Sequence, residues 1–208
     1  MKRLLESIQN LKSSNVKNIV DDRLREFKKL GNASSDRIFE ELCFCILTAH
    51  STAAKCIEIQ SELENEILTL PESTLAKKLK KLGHRFPNMR ARYIVDARKY
   101  KDSLKDILTS FNDEYELREW LVKNVKGIGY KEASHFLRNI GYTDFAIIDF
   151  HIINVLTKHK IVEKPKVLSK KRYLKIEESL RKIARNSTLN MAELDLYLWH
   201  METGKILK

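Results

Sequence analysis

Little in this chain interrupts a helix. Only six glycines and three prolines are spread over 208 residues, and the apolar–polar alternation of a half-buried strand is nearly absent. Helical periodicity recurs throughout, which predicts an all-α fold. Long apolar runs are missing too, none approaching the roughly twenty residues of a membrane span. The opening Met1-Lys2-Arg3-Leu4-Leu5-Glu6-Ser7-Ile8 is basic, but no apolar core or small-residue cleavage site follows, so no signal peptide is expected. The three cysteines, Cys43, Cys45 and Cys56, cannot all pair within one chain. They read as buried thiols of a reducing cytoplasm, with no disulfide scaffold.

What the chain does have is positive charge. Lys and Arg outnumber Asp and Glu by 39 to 28, for a net charge of +11 and a pI near 9.5. Such a surface favours polyanions, nucleic acid first among them; a Lys/Glu-rich thermophile surface with a basic bias would look the same by composition. Apolar residues make up 43%, enough for a real core in one large domain or two small ones. Periodicity places helices over about 2–13, through Val20–Leu30 to Gly31, over Ile38–Ala49 after the caps Ser34-Ser35-Asp36, and over Ala53–Glu64, Glu72–Lys81, Met89–Lys101 and Leu104–Phe111. Further helices are predicted over Glu114–Asn124, Lys131–Asn139, Phe150–Lys158, Tyr173–Arg185 and Met191–Met201, with Val162–Lys171 a basic connection. The run Lys77-Lys78-Leu79-Lys80-Lys81 reads as a solvated helix face.

One stretch carries chemistry. Val125-Lys126-Gly127-Ile128-Gly129-Tyr130-Lys131-Glu132-Ala133 lies between two amphipathic helical patterns. Two glycines one residue apart make a hairpin whose backbone N–H groups can point outward together, and amides opening a helix bind phosphate readily. Just past the hairpin stands Lys131. Downstream, Asp149 sits in the apolar setting Ala146-Ile147-Ile148-Asp149-Phe150-His151 as a natural helix N-cap. From these residues alone, Lys131 reads either as a nucleophile or as a phosphate-binding lysine, and Asp149 as a catalytic carboxylate, a plain cap, or both. An amine and an acid beside a phosphate clamp point to chemistry on DNA.

The segment 121–133, Leu-Val-Lys-Asn-Val-Lys-Gly-Ile-Gly-Tyr-Lys-Glu-Ala, resembles the hairpin of the helix-hairpin-helix DNA glycosylases. Ile147-Ile148-Asp149-Phe150-His151 resembles their following Gly/Pro-Asp element, although the Gly/Pro itself is absent. With the chain length and the tail Trp199…Gly204-Lys205-Ile206-Leu207-Lys208, the nearest family is the type-2, archaeal-style 8-oxoguanine DNA glycosylase/lyases. The resemblance implies two helical subdomains flanking a DNA-binding cleft, one from about Ser35 to Ile140 and the other formed by 1–34 with 141–208. It implies excision of 8-oxoguanine and lyase action through a lysine Schiff base. The expected partner is double-stranded DNA containing 8-oxoguanine, bound by a monomer in the cytoplasm, with no membrane association. No four-cysteine cluster follows the catalytic region, so the iron–sulfur module of endonuclease III-like relatives is missing. A lyase acting on oxidised pyrimidines and a non-enzymatic hairpin module are the alternatives.

The chemistry agrees with Lys131 as nucleophile and Asp149 as the charge-stabilising, activating carboxylate. Positive charge develops on the sugar as the glycosidic bond breaks, and a carboxylate there stabilises it. The attacking amine must be unprotonated, which desolvation and nearby positive charge favour. By resemblance, Val125, Gly127 and Gly129 supply the phosphate-binding backbone, which in relatives also holds a monovalent cation, and His151 contacts the DNA backbone. No organic cofactor or catalytic divalent metal is implied. A flipped nucleotide needs a pocket, for which His135, Asp195, Trp199 and Lys208 are candidates; packing roles for His135 and Trp199 remain open. The wedge positions fall on His50 and on Arg85 and Phe86, Phe86 suiting insertion into a base stack. Arg85, Arg90 and Arg92 suit phosphate or orphan-base contacts.

Overall fold

Local signals decide where each helix begins and ends. A computed structural model describes all 208 residues. Its α-helices are α1 (Lys2–Lys12), α2 (Val16–Gly31), α3 (Ser35–Thr48), α4 (Ala53–Leu63), α5 (Glu72–Lys81), α6 (Pro87–Ala97), α7 (Leu104–Thr109), α8 (Glu114–Asn124), α9 (Tyr130–Asn139), α10 (Phe150–Lys158), α11 (Lys170–Ser187) and α12 (Met191–Thr203). Short 3₁₀ segments cover Glu64–Leu68 and Arg98–Tyr100, and there is no strand. No helix is long and apolar enough to cross a membrane.

The departures from expectation have physical causes. Helix α3 starts three residues early because Ser34 accepts the Arg37 N–H, a cap that outranks the onset of the apolar run. Helix α11 starts at Lys170 because Ser169 accepts the Arg172 N–H. That cap holds the first turn despite three cations at the positive end of the helix dipole. The 3₁₀ turn after α4 follows from Glu64 at φ 40°.

The chain forms two compact units, Leu30–Phe136 and Met1–Lys29 with Leu137–Lys208, the division falling within α9. In the first unit every residue of α3 from Ile38 to Thr48 is buried. Helices α4, α6 and α7 and the first 3₁₀ segment pack on it, covering its apolar residues and enclosing Glu40 and Glu41 as well. Cys43, Cys45 and Cys56 are buried free thiols.

In the second unit α12 is the central element, contacting α1, α10 and α11. Asn190 and Glu193 start it with a reciprocal capping box. Leu196 and Tyr197 join Val20 and Phe27 in a core cluster, with Ile206 of the tail packed against it. Helix α9 ends in a Schellman motif, with Tyr142 N–H donating to Leu137 O and Gly141 N–H to Arg138 O. Gly141 has φ 99°, and a Cβ there would lie 3.2 Å from the Lys28 Cα of α2. Gly141→Ala therefore combines backbone strain with crowding against main chain. It should lower stability by about 2 kcal/mol in chemical denaturation; a change within experimental error would show that α2 yields freely.

Candidate active site

The hairpin is built so that glycine is required. Val125 N–H donates to Leu121 O and closes α8, and Val125 O accepts the Ile128 N–H. Val125 and Ile128 are buried. Between them Gly127 turns at φ 84° with its α-carbon against Tyr93, where a Cβ would lie 2.5 Å from the ring. The two arms are tied by Arg118 of α8, whose Nη1 donates to Ser134 Oγ of α9 at 3.2 Å. Its guanidinium also lies over the Tyr130 ring.

Lys131 stands in the first turn of α9, half-buried, with Nζ 3.2 Å from Glu132 Oε1. The second oxygen of Glu132 accepts the Gly129 N–H at 3.1 Å. Glu132 is thus the N3 half of a capping box whose N-cap is a glycine. The sequence pointed to Asp149 and nearby positive charge as what tunes this lysine; the structure sets a second carboxylate, Glu132, in contact with it. The sequence also pointed to outward amides from Val125, Gly127 and Gly129. The Val125 amide belongs to α8 and the Gly129 amide to Glu132, which leaves Gly127 N–H and the Lys131 and Glu132 amides of α9 for an external anion.

The same unit gathers the residues expected at the wedge positions. His50 sits at φ 61°, a strained conformation for a non-glycine residue. Its ring meets Phe86 edge-on at 6.0 Å, and Arg85 lies over the other aromatic at 5.1 Å. The loop is anchored by buried His84, whose Nδ1 accepts the Phe86 N–H, so that Nε2–H donates to Leu47 O at 3.0 Å. Burial lowers the His84 pKa, in keeping with a neutral ring. Arg90, expected on phosphate, is instead buried and donates to Ala49 O at 2.7 Å. It braces the His50 turn from inside.

In the other unit, Ala146–Ile148 is buried and not helical, so its backbone polar groups need partners. Helix α11 provides them. Ala146 N–H donates to Glu177 Oε1, Tyr173 O–H donates to Ala146 O, and Ile148 N–H donates to Tyr173 Oη. The segment delivers Asp149 to the N-terminus of α10, where Oδ1 accepts the Ile152 N–H at 2.9 Å. Oδ2 accepts Trp199 Nε1–H at 3.4 Å. His151 meets Trp199 edge-on at 5.4 Å, and exposed Phe150 lies 3.8 Å from the His151 ring.

Comparison with known proteins decides what such a hairpin and carboxylate belong to. A family model described as 8-oxoguanine DNA glycosylase matches residues 20–189. The chain belongs to the 8-oxoguanine DNA glycosylase family. An 8-oxoguanine DNA glycosylase/AP lyase of Methanocaldococcus jannaschii is 53% identical over 206 residues, covering 99% of each chain. A Thermotoga maritima protein of the same description is 42% identical over 210 residues, covering 100% of each. The crystal structure of the M. jannaschii protein with a 15-mer DNA containing 8-oxoguanine superposes with a TM-score of 0.96, covering 99% of this chain and 100% of that one. The all-α architecture is that of this glycosylase family.

Two of the lesion-pocket candidates have partners inside the protein. His135 is buried and packs edge-on against Phe44 at 5.6 Å, a core role. Asp195 is buried too, paired with Arg138 Nη1 at 2.8 Å. Arg138 in turn bonds Asn139 Oδ1 and covers the Phe27 ring at 4.7 Å. Trp199 and Lys208 are half-buried, and Ile206 fixes the tail against the core cluster of α2 and α12. Glu132, His84, Tyr173, Glu177 and Arg138 were given no role from sequence, though the N3 position of Glu132 was a readable signal.

Burial, eased by Arg138 and reinforced by the Asp149 charge, pushes the Asp195 carboxyl up to about 7. Between roughly pH 4 and 7 the folded protein keeps a proton that the unfolded chain has released, so raising pH favours unfolding over that range. Stability of the wild type relative to Asp195→Asn should fall from pH 4 to 7 and level off above. Parallel stability curves for the two proteins would disprove it.

Proposed function

We infer that the protein is a bifunctional DNA glycosylase and abasic-site lyase that excises 8-oxoguanine from duplex DNA in base excision repair. Full-length identity of 53% to a relative described as an 8-oxoguanine DNA glycosylase/AP lyase carries the reading, and the local geometry supports it. The partner is double-stranded DNA containing the lesion, met by a monomer in the cytoplasm.

In this reading Lys131 attacks C1′ of the flipped nucleotide, forming a bond to carbon as the bond to the base breaks. The C1′–O4′ bond of that adduct then opens, O4′ taking a proton, and the resulting Schiff base allows strand cleavage by β-elimination. Asp149 stabilises the positive charge developing on the sugar. Its two oxygens are held by the Ile152 amide and the Trp199 indole, so the carboxylate needs no reorganisation when the charge appears. Trp199, fixed beside it, offers an aromatic face for the displaced base, and Lys208 a cation for recognising the lesion.

Gly127 N–H and the start of α9 hold a DNA phosphate, with His151 on the backbone nearby in sequence to Asp149. A monovalent cation at hairpin carbonyls would add structural counter-charge; the reaction as written uses no organic cofactor or catalytic divalent metal. Phe86, flanked by His50 and Arg85, fills the space left by the flipped base.

Borohydride should trap a covalent adduct between the protein and an 8-oxoguanine oligonucleotide, and Lys131→Gln should abolish it. An adduct that survives that substitution sinks the assignment. Asp149→Asn keeps an oxygen for the Ile152 amide and so preserves the cap. It should slow excision by about 10²–10³-fold while DNA affinity, measured by fluorescence anisotropy, stays near that of the wild type. Equal losses in both would make Asp149 a structural cap.

A further inference from the structure

Asp149, expected from sequence as the activating carboxylate, has both oxygens engaged by the Ile152 amide and the Trp199 indole, so the ammonium proton of Lys131 still needs a base. An ammonium has no lone pair, so Lys131 must give up a proton to a base before it can attack. Glu132 Oε1 lies 3.2 Å from Lys131 Nζ. Consecutive residues on a helix do not ordinarily face each other, so this contact has a specific cause. Glu132 is the third residue of α9 and folds back over the helix start, where Oε2 accepts the Gly129 N–H. One carboxylate therefore spans from the hairpin to the nucleophile. Both side chains are shielded, Glu132 at 13% and Lys131 at 24% exposure, so water competes weakly for the contact.

The other titratable groups around this pair do not suit the task. Cys56 of α4 is near enough to feel the charges of Lys131 and Arg90, but burial pushes its thiol up and keeps it protonated. Arg90 of α6, which interacts electrostatically with Glu132, is a cation held on Ala49 O. Within this unit Glu132 is the base in contact with Nζ.

We propose that Glu132 positions Lys131 and takes up its ammonium proton, an inference that rests on Lys131 being the nucleophile. The proton passes from Nζ to Oε1, leaving a neutral amine and a carboxylic acid. The nitrogen lone pair then bonds to C1′ as the C1′–base bond breaks and its electron pair leaves with the base. The acid later returns its proton to solvent. The Gly129 amide keeps the carboxylate from swinging away, which ties the phosphate-binding hairpin to the readiness of the amine.

Glu132→Gln tests this with little change of shape, since its side-chain oxygen can still accept the Gly129 N–H. At neutral pH the rates of single-turnover excision and borohydride trapping should fall by about 10²-fold, with DNA affinity unchanged within about twofold. As pH rises the defect should shrink at least about tenfold, because hydroxide replaces the missing base, while the wild type changes little. Glu132→Asp, which keeps a base on a shorter arm, should retain trapping that is insensitive to pH even if its rate drops. Wild-type rates in the Gln variant overturn the proposal. So does a defect equal at every pH, which would make Glu132 a helix cap only, or an Asp variant whose trapping climbs with pH. Lys131→Gln run in parallel separates the two levels. Loss of its adduct with an unimpaired Glu132→Gln defeats the role of Glu132 alone, whereas survival of its adduct defeats the nucleophile itself.

Discussion

The bonds that hold Ala146–Ile148 extended are the constraint on which one unit of this molecule depends. A buried, non-helical segment in an all-α protein has no neighbouring strand to satisfy it, and each orphaned amide or carbonyl costs about 1–3 kcal/mol. Tyr173 and Glu177 of α11 meet that need from one helix face, four residues apart and hence on the same side. With the segment fixed, Asp149 must open α10, and α12, packed on α10, sets Trp199 against its free oxygen. The position of the carboxylate is therefore a consequence of three helices, and no loop flexibility intervenes.

The hairpin unit reaches the same rigidity by another route. Gly127 lets the main chain touch the Tyr93 ring, Arg118 ties α8 to α9, and Glu132 closes the helix start. Each removes a degree of freedom from the backbone that carries Lys131. In the proposed reaction, Lys131 on a helix so fixed at its first turn has mainly its own side-chain torsions left to order. That lowers the entropic part of the barrier to attack.

The hairpin and Asp149 were legible in the sequence because their signals are local. A glycine forced to positive φ, an N-cap before an apolar run and the spacing of apolar residues all act within a few positions. Helices bounded by such signals, Glu72–Lys81, Glu114–Asn124 and Phe150–Lys158, form at the expected limits. Pairings across distant positions were not legible. Arg138 and Asp195 lie 57 residues apart, and nothing in either neighbourhood announces a buried ion pair, so Asp195 read only as a lesion-pocket candidate. Arg90 read as a phosphate ligand for the same reason, because its carbonyl partner is 41 residues away. Glu132 is the intermediate case: its reach to Gly129 is local, but the contact with Lys131 depends on the side chain folding back.

The buried arginines also change what the net charge of +11 means. Arg90, Arg118 and Arg138 are buried and bonded to a carbonyl, a hydroxyl and a carboxylate of the protein itself. Burial keeps all three from direct phosphate contact, so none contributes directly to counterion release. Arg138 is neutralised in part by Asp195. Arg90 and Arg118 still add to the long-range potential, because burial removes a charge from contact without removing its field. Composition therefore measures how strongly this protein attracts a polyanion from a distance. How it grips one depends on the smaller set of exposed cations and, in the proposed reading, on amides at the hairpin and the start of α9.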